Sequence, residues 1–324
     1  MRLKSIIAIA LIPQIILVNY LKKNPSIIDK YYQNIYEGIL SINSNIYSKI
    51  KIPIGEIVYI IIILLFIYLI FKIFSFKLKD SVNLIAFISI IYFTFYSLWG
   101  LNYFKTSKFY KSKVKNDYEF VELDNTLKQI IYLINEELEL IRDFNQLDLF
   151  EITNTKDLNL KKSIFPNILL YQTVSGHFIP FTSEYIVNFK IPKIDIPVVI
   201  FHEEAHRIGY ADEAEASFIG FKKAVESKNA NVRYSGYFYA LLKLLNDVNK
   251  NHNEKLEDYT SILNERIKAD INDNIEFWSK YYNNFFDRIT NFIYDIYLKS
   301  NKQENGILSY NKVSKYIIDY YKVN

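Results

Sequence analysis

The stretch Phe201-His202-Glu203-Glu204-Ala205-His206-Arg207-Ile208-Gly209 decides the fold of this chain of 324 residues. It has the pattern H-E-x-x-H, and on a helix His202 and His206 lie one turn apart on the same face. Two such imidazoles can hold one Zn²⁺ ion at about 2.0–2.1 Å each, and Glu203 can act as general base toward a water molecule. The alternative is an ordinary exposed helix, but the chain has only four histidines, which makes the pattern specific.

The next stretch, Tyr210-Ala211-Asp212-Glu213-Ala214-Glu215-Ala216-Ser217, offers a third ligand. Gly209 is predicted to end the first helix, and Asp212 is predicted to cap a second one. Glu215, three residues after Asp212, would complete a capping box, which leaves Glu213 as the better ligand and Glu215 as the alternative. Ser217 could orient a ligand through a hydrogen bond. Two histidines and one glutamate with an open fourth position are typical of catalytic zinc sites.

This block is similar to that of the gluzincin metallopeptidases, whose H-E-x-x-H helix is followed by a helix with E-x-x-A-D or E-x-E-A-N. The departure is the serine of Glu213-Ala214-Glu215-Ala216-Ser217. Over nearly its whole length the chain resembles an uncharacterised bacterial family of membrane-anchored zincins. The features that carry this resemblance are Trp99-Gly100-Leu101-Asn102-Tyr103, Pro180-Phe181-Thr182-Ser183-Glu184, Val187-Asn188, the H-E-x-x-H block, Arg233-Tyr234-Ser235-Gly236-Tyr237 and Tyr297-Leu298-Lys299-Ser300-Asn301. The resemblance implies a zincin fold and a metal site, and it supplies no substrate.

Three uncharged apolar segments lie ahead of the motif, at residues 5–21, 57–71 and 81–101. The third is long enough to span a bilayer, and lysines that flank the two shorter ones can snorkel to the interface. The alternatives are a cleaved signal peptide for the first segment and a buried hairpin for the other two. We therefore expect three transmembrane helices in residues 1–104 and a zincin-like metallopeptidase domain in residues 105–324.

The sequence predicts a multi-pass protein of the cell membrane, but it gives two answers for its orientation. The short basic N-terminus favours a cytoplasmic N-terminus, and the resemblance implies a cytoplasmic turn between the second and third spans. Both place the catalytic domain, which follows Asn102, outside the cytoplasm. The number of lysines in the connecting segments favours the opposite orientation. We expect the first orientation, with the N-terminus inside and the catalytic domain outside the cytoplasm.

The rest of the chain predicts a mainly α domain with a small β element. Helical periodicity marks residues 123–144, 237–248, 256–297 and 310–321. Residues 175–180 are typical of a turn or a strand, and residues 184–190 of a short strand. A basic, aromatic linker at 103–115 and a turn at Asn305-Gly306 separate elements. Cysteine is absent, which excludes disulfides and thiolate ligands, and the dispersed net charge of +4 does not indicate a nucleic-acid partner.

The strand at 184–190 precedes the motif helix, and its free edge could pair with an extended peptide. On that reasoning Val187, Asn188 and His177 are candidates for substrate binding. Arg233 and Tyr234 are candidates for stabilising an oxyanion. The predicted function is that of a membrane-anchored zinc peptidase with a peptide or protein substrate. The alternative is a non-catalytic zinc-binding scaffold or binding protein that keeps the fold. A transporter or channel is less well supported, because the spans lack charged residues.

Overall fold

The structure of the chain is a computed structural model that describes residues 2–74, 77–106, 118–141, 143–146, 148, 152, 159–301 and 312–323. The predicted turn at Asn305-Gly306 and most of the predicted basic linker lie outside the described residues. The chain forms two compact units. The first comprises Met1–Lys108 with Phe178–Glu184, and the second comprises Phe109–His177 with Tyr185–Asn324.

Helices make up most of the first unit. Its helices are α1 (Arg2–Lys23), α2 (Pro25–Ile27), a π-helical turn (Ile28–Tyr32), α3 (Gln33–Tyr47), α4 (Ile54–Ile73), α5 (Leu78–Leu98) and a 3₁₀ turn (Gly100–Phe104). Helices α1, α4 and α5 are each long and apolar enough to cross a membrane. The prediction of three apolar helices is therefore confirmed, and their presence indicates membrane association. Helix α3 was not anticipated from the sequence.

The short segment Phe178–Glu184 belongs to the first unit through contacts with the start of α4. The carboxylate of Glu184 accepts hydrogen bonds from the backbone N–H groups of Gly55, at 2.5 Å, and Ile54, at 3.3 Å. It also accepts one from the hydroxyl of Thr182 at 2.9 Å. Because the first N–H groups of a helix have no partner within the helix, Glu184 caps α4 from a distant part of the sequence.

The second unit is also mainly helical, and it contains the residues of a small three-stranded sheet other than those in Phe178–Glu184. The strands are β1 (Leu160–Lys162), β2 (Gly176–Ile179) and β3 (Glu184–Val187). The helices are α6 (Phe120–Leu138), α7 (Pro166–Tyr171), α8 (Ile196–Arg207), α9 (Glu213–Val225), α10 (Ala230–Asn251), α11 (Leu256–Ser261), α12 (Glu265–Ser279), α13 (Phe285–Ser300) and α14 (Val313–Val323). The largest apolar core holds side chains of α6, α9, α10 and α14, including Ile130, Phe221, Leu241 and Ile317.

The sheet has the order β1-β3-β2, and β1 runs parallel to β3 with Leu160 opposite Tyr185. Strand β3 therefore lies in the centre, and the expectation that it offers a free edge is wrong. The outer strands of the described sheet are β1 and β2. Strand β3 is also shorter than predicted, because the chain turns at Asn188, whose side-chain oxygen accepts a hydrogen bond from the backbone of Lys190.

The prediction of one long helix over residues 256–297 is wrong in one respect. The structure has three helices there, α11, α12 and α13. Asparagines that cap the following helices mark both breaks. The side chain of Asn264 accepts a hydrogen bond from the backbone of Arg266, and that of Asn284 accepts one from Phe286. The apolar spacing continues across these breaks, which is why periodicity alone did not show them.

Candidate metal centre

Helix α8 carries the H-E-x-x-H motif, and local sequence fixes both of its ends. Pro197 occupies the first turn, where its missing N–H costs no hydrogen bond. At the other end Gly209 adopts a positive φ of 99°. The backbone N–H of Gly209 then bonds to the carbonyl of His206, and that of Tyr210 bonds to the carbonyl of Ala205, each at 3.0 Å. This is a Schellman motif, which directs the chain back toward the last turn of α8.

Helix α9 packs so closely against α8 that its backbone at Gly220 approaches the backbone of α8. Asp212 caps α9 as predicted, because its carboxylate accepts hydrogen bonds from the N–H groups of Ala214 and Glu215. A β-carbon at Gly220 would lie 2.9 Å from the carbonyl oxygen of Val198 and 3.1 Å from the backbone nitrogen of His202. The two helices can approach this closely only because residue 220 is a glycine.

Three donor atoms from these two helices converge on one point. The Nε2 atoms of His202 and His206 are 3.0 Å apart. Oε2 of Glu213 lies 3.4 Å from the first nitrogen and 3.3 Å from the second. All three side chains are largely removed from solvent, and Glu213 is only 2% exposed. The structure thus brings together the two histidines and the preferred third ligand of the sequence analysis.

Each of the three side chains also forms a hydrogen bond on the side away from the other two, which fixes its orientation. Nδ1 of His206 lies 2.7 Å from the carbonyl oxygen of Tyr210, and Nδ1 of His202 lies 3.1 Å from the hydroxyl of Ser217. A carbonyl oxygen can only accept, so Nδ1 of His206 carries the hydrogen, and in the neutral ring Nε2 presents a lone pair. Oε1 of Glu213 accepts a hydrogen bond of 2.5 Å from the phenol of Tyr294.

The spacing of the donor atoms fits a tetrahedral metal ion. Bonds of about 2.0–2.1 Å in tetrahedral geometry place any two ligand atoms about 3.3–3.4 Å apart. The three observed separations, 3.0, 3.3 and 3.4 Å, lie close to that value. The same separations are hydrogen-bond distances, so either a cation among the three atoms or a hydrogen on an imidazole nitrogen relieves the repulsion between their lone pairs. The residues present therefore could hold a divalent cation through two nitrogens and one oxygen.

The electrostatics of the cluster also favour a positive charge at its centre. Burial works to raise the pKa of Glu213, but the imidazoles of His206 and His202 hold it well below its usual range. Burial works to lower the pKa of His206, but the carboxylates of Glu213 and Glu203 raise it. Burial lowers the pKa of His202. In the absence of a metal ion, the extra proton on the His206 ring supplies this positive charge.

Glu203 lies beside the cluster, and one of its oxygens is within 4.8 Å of the imidazole nitrogens. It is 5% exposed, and burial raises its pKa to about 8, with a further increase from Glu213 and a decrease from His206. A β-carbon at Gly176, the first residue of β2, would lie 2.9 Å from Cγ of Glu203. The outer strand β2 therefore begins in direct contact with the predicted general base.

The structure uses Arg233 and Tyr234 in contacts outside the cluster. The guanidinium of Arg233 donates to both oxygens of Glu137, at 2.6 and 2.8 Å. The phenol of Tyr234 is buried and donates to Asp270 at 2.6 Å. These contacts join α10 to α6 and α12, and a role for either residue in stabilising an oxyanion stays a prediction.

The three candidates for substrate binding lie in or beside the sheet. Val187 and Asn188 are fully buried, and the side-chain amide of Asn188 donates to the carbonyl of Pro166 at 2.8 Å. His177 follows Gly176 in β2, and burial lowers its pKa to about 4, so its ring is uncharged at neutral pH. Substrate binding by these residues stays a prediction, and the central position of β3 removes the reason given for Val187 and Asn188.

Two residues of the site were missed by the sequence analysis, namely Tyr294 and Gly176. Tyr294 is one of 28 tyrosines, and its contact with Glu213 joins residues 81 positions apart. The stretch Ser175-Gly176-His177 predicts only a turn or a strand, and the approach of Gly176 to Glu203 depends on how β2 packs on α8. No local pattern signals either contact.

Comparisons with known proteins place the chain in a family. A family model described as "Protein of unknown function (DUF3810)" matches residues 31–318. The searches of curated proteins and of solved structures gave no match. The matched region covers most of the chain, including α3 to α5, the sheet and the helices that carry the ligand cluster. The chain is therefore a member of the DUF3810 family.

Proposed function

We propose that this chain is a membrane-anchored, zinc-dependent metallopeptidase that hydrolyses peptide bonds. The observation that carries the proposal is the convergence of His202 Nε2, His206 Nε2 and Glu213 Oε2 at tetrahedral spacing, with the carboxylate of Glu203 beside them. The two imidazoles and one carboxylate form the ligand set of a catalytic zinc site, and a structural site would be closed by a fourth protein ligand.

The residues of the chain would share the chemistry as follows. Zinc held by these atoms would polarise a water molecule and the carbonyl group of the peptide bond. The positive charge of the zinc would favour the ionised form of Glu203, which would take a proton from the water and later deliver it to the nitrogen of the leaving amine. Ser217 and the carbonyl of Tyr210 would hold the imidazoles in position, and Tyr294 would hold the carboxylate of Glu213.

The position of β2 supports an extended peptide as the substrate. This strand has β3 as its one neighbour in the described sheet, and its first residue touches Glu203. A peptide that adds to its other edge would form main-chain hydrogen bonds, which tolerate different side chains, and would pass next to the general base. With the N-terminus in the cytoplasm, the substrate would be a peptide or protein near the outer surface of the membrane.

The test is the substitution Glu203→Gln in the full chain reconstituted in lipid nanodiscs. This variant keeps the shape of the side chain and all three ligands, so it should retain zinc and lose about 10²–10⁴-fold in the rate of peptide hydrolysis. Glu204→Gln is the matched control, since Glu204 lies on the same helix and forms an ion pair with Lys223 at 2.9 Å. Metal content and cleavage of a peptide library are measured for both variants and the wild type.

The same experiment separates an enzyme from a scaffold. Zinc-loaded wild type that cleaves no peptide, together with a Glu203→Gln strain that grows as wild type while a deletion strain does not, would establish a binding protein. Equal cleavage by wild type and Glu203→Gln would exclude Glu203 as the base. A wild type that binds no zinc at all would remove the basis of the whole proposal.

A further inference from the structure

Helix α3 exposes a continuous apolar stripe. Ile35, Ile42 and Ile46 are 58%, 61% and 52% exposed, and Tyr31, in the turn just before α3, is 57% exposed. Spacings of four and seven residues place these side chains on one face of a helix. A second face holds Tyr36, which is fully buried, and a third carries exposed polar side chains at Asn34, Glu37 and Ser41. The apolar stripe is thus distinct from the face that packs on the protein.

The first end of α3 is attached to the end of the third apolar helix. The phenol of Tyr32 donates to the backbone carbonyl of Ser97, in the last turn of α5, at 3.1 Å. The ammonium group of Lys105, which follows α5 and the 3₁₀ turn, donates to the side chain of Gln33 at 2.6 Å. The start of α3 therefore lies beside the C-terminal end of α5.

The second end of α3 is attached to the start of the second apolar helix. The side chain of Asn43 donates to the hydroxyl of Ser183 at 2.9 Å. The next residue, Glu184, accepts from the backbone of Gly55 in the first turn of α4. A β-carbon at Gly55 would lie 2.6 Å from the hydroxyl of Thr182, so this segment presses directly on α4. The C-terminal part of α3 therefore lies beside the N-terminal end of α4.

With α4 and α5 spanning a membrane, the start of α4 and the end of α5 lie on the same side of it. A helix attached to both of these ends runs along the membrane surface. Helix α3 has 15 residues and a length of about 22 Å. We propose that α3 lies in the interface of an anionic lipid membrane, with Tyr31, Ile35, Ile42 and Ile46 inserted among the lipids. An apolar stripe of this kind gains stability by leaving water for the boundary between headgroups and acyl chains.

The charge around α3 complements anionic lipid. The segment from Lys22 to Lys51 carries five lysines and two acidic residues, a net charge of +3. The ammonium group of Lys30 lies 4.9 Å from the centre of the ring of Tyr31, so a cation accompanies the aromatic end of the stripe. Basic residues beside an apolar helical face are typical of helices that bind negatively charged membrane surfaces.

The absence of cysteine from the chain allows a direct test by single labels. Ile35→Cys and Ile42→Cys are labelled with an environment-sensitive fluorophore in the full chain, which is reconstituted in vesicles of phosphatidylcholine and phosphatidylglycerol. Ser41→Cys, on the exposed polar face, is the matched control. Lipids with brominated acyl chains should quench the labels at positions 35 and 42 about twofold or more beyond the label at 41, and aqueous iodide should quench in the opposite order.

Two outcomes would overturn the proposal. Labels at 35 and 42 that iodide reaches as well as it reaches position 41 would show that the stripe faces water. Labels that both iodide and brominated lipid fail to quench would show that protein covers the stripe. Neither outcome depends on zinc or on peptide hydrolysis, so the test is independent of the proposed function.

Discussion

Tyr294 and Glu213 are joined by a hydrogen bond of 2.5 Å between the phenol and Oε1, while Oε2 of the same carboxylate faces His202 and His206. One oxygen of Glu213 is thereby held away from the ligand cluster and the other is turned toward it. Helix α13 is also tied to the approach to β2, because Asp287 accepts a hydrogen bond from the hydroxyl of Thr173. Tyr294 is therefore a positioning residue for the proposed third ligand.

The substitution Tyr294→Phe should weaken zinc binding about 10–100-fold, because Glu213 loses the partner that fixes the rotation of its carboxylate. The measurement is competition for zinc between the protein and a chelator of known affinity. Tyr282→Phe makes the same chemical change at an exposed tyrosine and should leave the affinity unchanged. Equal affinities for Tyr294→Phe and wild type would show that this hydrogen bond does not serve the metal.

Two substitutions test which of the two glutamates at the start of α9 is the third zinc ligand. Glu213→Gln should lose most of the bound zinc, because its carboxylate lies 3.3–3.4 Å from both imidazole nitrogens. Glu215→Gln should retain it, although Glu215 is also buried. Metal analysis of the purified variants decides between them, and the reverse pattern would make Glu215 the third ligand.

Gly176→Ala should reduce peptide hydrolysis about 10²-fold while leaving zinc content unchanged, because the added carbon displaces Glu203 and no ligand. It should also lower thermal stability, since the same carbon would lie 2.9 Å from the backbone oxygen of Ile186. Gly38→Ala is the control, because a β-carbon there meets no atom within 4 Å and an alanine suits a helix. Hydrolysis at the wild-type rate by Gly176→Ala would show that β2 does not position Glu203.

The carboxylate of Asp195, ahead of α8, gives a prediction about pH. Burial raises its pKa to about 6, although Asn274 and Trp278 donate hydrogen bonds to it. The pKa of Asp195 in the folded protein lies above its ordinary value, so protonation of Asp195 stabilises the folded state. This stabilisation is complete below a pH of about 4 and is lost as the pH rises through about 6.

Melting temperatures measured between those pH values should fall less steeply for Asp195→Asn than for wild type. Asp258→Asn, a change at an exposed position, is the control and should follow the wild-type curve. Parallel curves for Asp195→Asn and wild type would show that Asp195 does not titrate in this range.

The parts of the molecule that the sequence predicted are those that local patterns determine. The three apolar helices, the H-E-x-x-H helix and the cap at Asp212 each depend on residues within a few turns of one another. The cap of α4 by Glu184 joins residues 129 positions apart, and only tertiary packing reveals it. The prediction that β3 has a free edge failed for the same reason. Its neighbour β1 comes from a polar segment whose sequence does not predict a strand.

The close contact at Gly220 has a consequence for the choice of ion. Backbone atoms, which do not change rotamer, set the distance between the helix of the two histidines and the helix of Glu213. In the proposed zinc site, a larger ion would therefore have to be received by rotation of the three side chains while the packed backbones stay in place. Calcium prefers six to eight oxygen ligands at about 2.3–2.6 Å, whereas two of the three donor atoms in this cluster are nitrogens. In the proposed site, the close packing at Gly220 would thus favour an ion as small as zinc over calcium.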